Sequence, residues 1–180
     1  MRVLGIAESS KKRHQKSALA GVVMRRDLVI DGMVSGSATM EGDDATEMIL
    51  DMYGSLERND IACIMIGGLV ISMYNIVDGE RIFNESRIPV IAVTFEKSSG
   101  LEETIRRRFP NSKEKMALYN KLGRREEVLL KTGKTLFVRY WGVTQRKAVM
   151  ILNSFTLQGS LPEPVRVAKL AARAFSSAML

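Results

Sequence analysis

The sequence predicts an α/β fold with a mixed sheet, and three features carry that expectation. Three closely spaced apolar runs open the chain, two further apolar runs each follow an amphipathic segment, and 180 residues suit one core. Composition agrees: 46% hydrophobic, 26% charged, and only 4 prolines describe a globular chain rather than a disordered one.

Residues 2–7 form a short run, apolar after Arg2, that ends in Glu8-Ser9-Ser10, as a buried strand feeding a loop would. The loop then reads Lys11-Lys12-Arg13-His14-Gln15-Lys16, too charged for a core. Residues 18–24 and 28–35 are two more β-like runs joined by Arg25-Arg26-Asp27, a connector of hairpin length. Three strands spaced this way form an antiparallel meander. Gly42-Asp43-Asp44-Ala45-Thr46-Glu47 then opens a helix with Met48, Ile49, Met52 and Leu56 at helical spacing. Asp43 or Asp44 is its expected N-cap, and Asp44 with Glu47 fits the capping-box spacing.

Residues 61–66 form an apolar fourth strand, expected to be buried on both faces near the sheet centre. The uncharged run continues to Val77, but Gly67-Gly68, Ser72 and Asn75 interrupt it, so strand, turn and second apolar segment fit better than a membrane span. A short helix is expected over 78–86 and a fifth strand over 90–95. The order β-β-β-α-β-α-β is that of a ribonuclease-H-like fold, with other α+β pairings still open.

Beyond residue 96 the pattern changes. Residues 101–109 and 112–122 are basic amphipathic segments broken at Pro110-Asn111, and 127–131 with 134–141 form a hairpin across Thr132-Gly133. The expectation is one domain over 1–180 with a basic accessory layer at about 97–142. Thr144 should cap a helix reaching Phe155, and Pro162-Glu163-Pro164 should begin a closing helix to Ala178.

Charge is unevenly placed. Net charge is +7, yet residues 1–100 sum to −3 and residues 101–180 to +10. A basic half beside an acidic one suits a protein that holds a polyanion, although a salt-rich surface adapted to heat would read the same way. Arg106-Arg107-Arg108, Lys113, Lys115, Arg124 and Arg125 make one basic cluster, and Lys11, Lys12, Arg13 and Lys16 another. Tyr140 and Trp141 beside Arg139 are candidates for stacking on bases, with strand alternation turning at least one inward.

Other chemistries fail on inspection. His14 is the sole histidine and Cys63 the sole cysteine, which removes histidine triads, zinc sites and internal disulfides. Gly133-Lys134-Thr135 lacks the earlier glycine of a phosphate-binding loop, since Val128 stands there. Five positions between Arg2 and Glu8 are too few for a signal-peptide core, so a cytoplasmic protein is expected.

Five segments together resemble a known family: residues 2–6 (Arg-Val-Leu-Gly-Ile), Gly42 to Thr46, Tyr74 to Asp78, Pro89-Val90-Ile91, and Leu161 to Ala168. In this order, over nearly the whole chain, they resemble the archaeal domain-of-unknown-function family 99, some of whose members are described as endonuclease dU. The resemblance implies a ribonuclease-H-like fold and kinship with endonuclease V, whose members use carboxylate-bound magnesium to cut near deaminated bases. It implies acids at the end of the first strand, the start of the first helix and the end of the fourth strand. Asp43, Asp44, Asn75, Asp78, Glu163 and Arg166 match the family pattern. Ala7-Glu8 stands where many relatives have Asp-Asp, and Gly67-Gly68 where many have Asp-Gly.

The resulting expectation is a nucleic-acid-directed protein, DNA favoured over RNA, with a Mg2+-dependent DNA-repair endonuclease acting on deaminated strands as the leading form. Glu8 and Asp44 would hold metal, with Asp78 as a third catalytic acid and Asp43, Glu47, Asn75 and Glu163 at the rim. Lys11, Lys12, Arg13 and Arg166 would hold phosphate. Each has a plainer role available: Asp44, Glu47 and Asp78 as capping residues, Glu8 as a solvated acid, Glu163 with Arg166 as an ion pair. The alternative function is a binding protein of the same family that has lost catalysis, for which Ala7 and Gly67 speak. A small-molecule enzyme using the rim between the first and fourth strands is a third class, and a homo-oligomer is left open.

Overall fold

Apolar and β-branched runs early in the chain build β1 (Arg2–Ser9), β2 (Lys16–Arg25) and β3 (Ile30–Thr39), paired antiparallel in that order. The computed structural model describes residues 1–11, 14–97 and 99–178. The third strand starts two residues later than the sequence pattern predicts, because Leu28 sits in the turn with φ 66°. Helix α1 (Ala45–Ser55) leads to β4 (Ile61–Ile66), which lies parallel to β1. A tight hairpin follows, β5 (Val70–Ile71) with β6 (Asn75–Ile76), and its turn holds Ser72, Met73 and Tyr74 all at positive φ.

Helix α2 (Gly79–Ser86) precedes β7 (Val90–Thr94), parallel to β4. Two short helices, α3 (Glu102–Arg108) and α4 (Lys113–Lys121), break at Pro110-Asn111 as expected, with Ser112 capping the second. β8 (Glu126–Leu129) and β9 (Thr135–Trp141) form the hairpin, and α5 (Gln145–Phe155) and α6 (Glu163–Ala178) close the chain. Thr144 caps α5 through its side chain, accepting from the Lys147 amide at 3.4 Å.

The main sheet runs β3-β2-β1-β4-β7-β9-β8. The hairpin expected as an accessory layer is therefore the far edge of this sheet: β9 pairs antiparallel with β7 from Val90↔Trp141 to Thr94↔Phe137. Its alternation explains why, since Leu136 and Val138 are buried on one face while Trp141 packs on the other.

The pleat divides the core in two. Leu4 and Ile6 of β1 face a cluster shared with Ile49 and Met52 of α1, Ile82 of α2 and Ile105 of α3. Val3 and Ala7 face the opposite cluster, with Ile151, Leu152 and Phe155 of α5 and Val165 and Ala168 of α6. Cys63 lies in this second cluster, where burial pushes its thiol up to about 12, as fits a core filler. Two glycines set how closely α6 approaches: a Cβ at Gly5 would collide with the Pro164 backbone, and one at Gly67 would come within 2.7 Å of Val165 Cγ1. No helix among the described residues is long and apolar enough to cross a membrane.

Candidate functional site

The ends of β1, β3 and β4 all reach one edge of the sheet, because β1 and β4 are parallel and β3 lies two antiparallel steps from β1. Glu8 is the acid at the end of β1. It pairs with Leu19 and follows Leu4 and Ile6 in the alternation, so it faces the α1 side, while Ala7 faces α6. Its Oε1 is buried and without a hydrogen-bond partner among the described residues. A carboxylate oxygen left so is costly and asks for a cation or a donor.

Asp44 occupies the same edge but is fully engaged. Its carboxylate accepts from the Thr39 amide at 3.0 and 3.2 Å, from the Thr39 hydroxyl at 2.7 Å and from Asn75 Nδ2 at 2.7 Å. Burial raises its pKa, but the Thr39 and Asn75 hydrogen bonds outweigh that and hold the carboxyl below its usual range. Asp44 does stand at the N-cap position of α1, yet its side chain makes no capping bond. The capping box expected with Glu47 is absent for the same reason: Asp44 turns back to β3, while Glu47 forms a two-pronged pair with Arg81 at 2.7 and 2.9 Å.

Asn75 is wholly buried and its amide is saturated. Nδ2 also donates to the Thr39 carbonyl at 2.9 Å, and Oδ1 accepts from the Ala45 amide at 3.1 Å. Asp78 caps α2, accepting from the Arg81 amide at 3.0 Å, and pairs with Lys121 at 2.9 Å; its own amide donates to Thr46 Oγ1 at 2.9 Å. Glu163 is 6% exposed and takes both Nε and a terminal nitrogen of Arg166, at 2.8 and 2.6 Å. That pair belongs to α6, on the opposite face of the sheet from Glu8.

The basic residues divide similarly. Lys11 is exposed next to Glu8, and Lys12 and Arg13 lie outside the described residues. Lys115, expected in a surface cluster, is buried instead: its ammonium donates to the carbonyls of Gly42 at 2.8 Å and Tyr74 at 2.9 Å and pairs with Asp43 at 2.6 Å. It also lies 5.0 Å from the Phe109 ring centroid, and Phe109 meets Tyr74 edge-on. Arg108 pairs with Glu41. Thus α3 and α4 spend these two cations on fastening the loop between β3 and α1.

A magnesium centre needs several hard oxygens converging, and two-ion catalysis needs a set for each ion. Among the described residues no group of three or more His, Cys, Asp or Glu is placed to hold a metal. By register, Glu8 and Thr39 are two strands and three residues apart, roughly 14 Å between Cα atoms. Gly67, where a third acid would stand, is backed by Val165. The residues present do not fit such a centre; of the acids expected to form it, Glu8 alone offers an unpartnered oxygen.

Sequence reasoning missed Thr39, Thr46 and the true place of Lys115. The signal for Thr39 was its position across the Gly42 turn from Asp44; nothing local marks the other two.

The strand order is that of a ribonuclease-H-like, endonuclease-V-like architecture. Endonuclease V from Ciona intestinalis, solved in complex with a 24mer DNA containing an inosine followed by a ribo-adenosine, superposes with TM-score 0.65 at 13% identity, covering 99% of this chain and 87% of that one. A second structure, a protein of unknown function from Archaeoglobus fulgidus, gives TM-score 0.81 at 27% identity over 97% of both chains. The family model described as endonuclease dU matches residues 1–176, and the chain belongs to that family. A relative from Pyrobaculum calidifontis, described as a UPF0215 protein, is 34% identical over 170 residues, 94% of this chain and 93% of its own length.

Proposed function

We propose that this chain binds nucleic acid strands, DNA in preference to RNA, and that strands bearing a deaminated base such as uracil are its targets. The observation that carries this is the endonuclease-V-like sheet, at one edge of which exposed lysines stand beside Glu8 and its buried, unpartnered carboxylate oxygen. The family's description supplies the uracil. Exposed Lys11 and Lys16 beside that edge supply phosphate contacts of the sequence-independent kind.

Binding is favoured over cutting by the saturated Asp44 and the Val165-backed Gly67. Mg2+-dependent cleavage is the second reading, and Glu8 is the residue on which it depends.

Oligonucleotides containing uracil or hypoxanthine, incubated with the protein with and without magnesium, separate the two. Salt-sensitive binding without scission supports a binding protein. Scission that needs magnesium and disappears in Glu8→Gln establishes the nuclease. Absence of binding to any of the strands overturns both.

A further inference from the structure

A second basic feature lies toward the far edge of the sheet. β9 runs past its last pair with β8, Glu126↔Val138, and the stretch Arg139 to Trp141, unpaired on that side, borders a cleft of about 130 Å³. Arg124, Arg139, Tyr140, Trp141, Glu126 and Leu122 line it. The volume admits a small anion with room to spare.

Arg139 is the informative wall. It alternates with Tyr140 and shares a face with Trp141, the same side of the sheet as Glu8. Its Nε donates to the Gly123 carbonyl at 3.0 Å, just beyond the end of α4, and among the described residues no carboxylate pairs with its guanidinium. Burial and the neighbouring positive charge of Arg125 both lower its pKa, which is the situation of a cation lacking a counter-charge. The acid in the cleft wall is paired with neither Arg124 nor Arg139 among the described residues; the Glu126 oxygens take the Tyr140 hydroxyl at 2.9 Å and the Gln145 amide at 2.9 Å. Arg124 is exposed at the mouth.

We propose that this cleft is a phosphate-binding subsite, with Arg124 and Arg139 as its cationic walls, gripping a backbone phosphodiester of the strand that reaches Glu8. This rests on the nucleic-acid reading above. Pairing register places Arg139 three strands and two residues from Glu8, roughly 16 Å, a span of a few nucleotides of one strand. Two arginines flanking one cleft suit a phosphate better than lysines would, because each guanidinium presents a planar fork of donors.

The test is the salt dependence of binding to a uracil-containing single strand, with the whole chain and its Arg124→Gln and Arg139→Gln variants. Each variant should lower the slope of log K against log salt by about 0.7, the value for one phosphate contact on a single strand. Arg139→Lys should restore the slope but not the full affinity. Arg139 also holds the Gly123 carbonyl in the turn after α4, so circular dichroism must show that variant folded; the exposed Arg124→Gln keeps the proposal testable in any case. Unchanged slope and affinity in Arg124→Gln and in a folded Arg139→Gln would overturn the subsite while leaving strand binding intact. Loss of all binding by the unaltered chain would overturn both. Inorganic phosphate at constant ionic strength should compete weakly; if it shifts the Arg139 Nε resonance and the strand does not, the cleft holds free phosphate and the proposal falls.

Discussion

Asn75 donates its side-chain amide to Asp44 at 2.7 Å, and with that bond one buried residue of β6 joins the end of β3 to the start of α1. Asn75→Ala would leave the Ala45 amide unpaired in a closed interior and take one donor from the Asp44 carboxylate, while the Thr39 carbonyl keeps the Gly42 amide. It should cost about 2–4 kcal/mol, read from urea unfolding. Asn75→Asp should be worse, since it sets a second negative charge against Asp44. A loss below about 0.5 kcal/mol for the alanine variant would show that the amide is not the pin.

Asp44 gives stability a defined acid limit. Its folded pKa lies below the usual 3.8, so its contribution is complete above that value and is lost as pH falls through the lower folded one. The free energy of unfolding of Asp44→Asn, compared with the unaltered chain between neutral pH and about pH 2, should show a gap that closes only below 3.8. A gap that opened on acidification would reverse the sign of the linkage.

Glu8 should behave as a residue kept at the expense of stability. Replacing its unpartnered, partly buried carboxylate with leucine removes a desolvation cost, and the variant should be more stable by about 1 kcal/mol, keep strand binding and lose any cleavage. Thermal unfolding checks the first half and oligonucleotide titration the second. Destabilisation by Glu8→Leu would mean that the oxygen has a partner in solution.

Gly67 and Val165 compete for one volume. Gly67→Asp alone should cost about 1–3 kcal/mol, because its Cβ comes within 2.7 Å of Val165 Cγ1. Adding Val165→Ala should recover part of that loss. Calorimetry should show no gain in magnesium affinity in the double variant, because the Gly67 Cβ faces α6 while Glu8 faces α1. Additive losses of stability would place the steric obstacle elsewhere.

Lys115 is a clamp. Lys115→Met keeps the apolar stem against Phe109 but orphans the Gly42 and Tyr74 carbonyls, and should cost about 2–3 kcal/mol. Hydrogen exchange should quicken first at residues 41–43 and 72–75. Uniform acceleration across the sheet would contradict a local fastening role.

Neighbouring residues were enough to set the elements and their class. Apolar runs of period two and helices with Asp78, Ser112 and Thr144 at their starts are local facts, so the meander, the apolar β4 and β7 and the helix starts could be read along the chain. The order of elements then left the ribonuclease-H-like arrangement as the natural packing. Partnership is what needed the folded chain. Asp44 looked like a cap because capping spacing is local, but Thr39 and Asn75, the latter 31 residues away, outbid the helix amides for its oxygens. Lys115 looked like surface charge until a loop more than 70 residues earlier offered it a carbonyl and a carboxylate. The hairpin looked accessory because its strands are short and polar on one side; the open edge of β7 took it in. Hydrogen bonding and sheet edges are settled by contacts distant in sequence, and no window of neighbouring residues contains them.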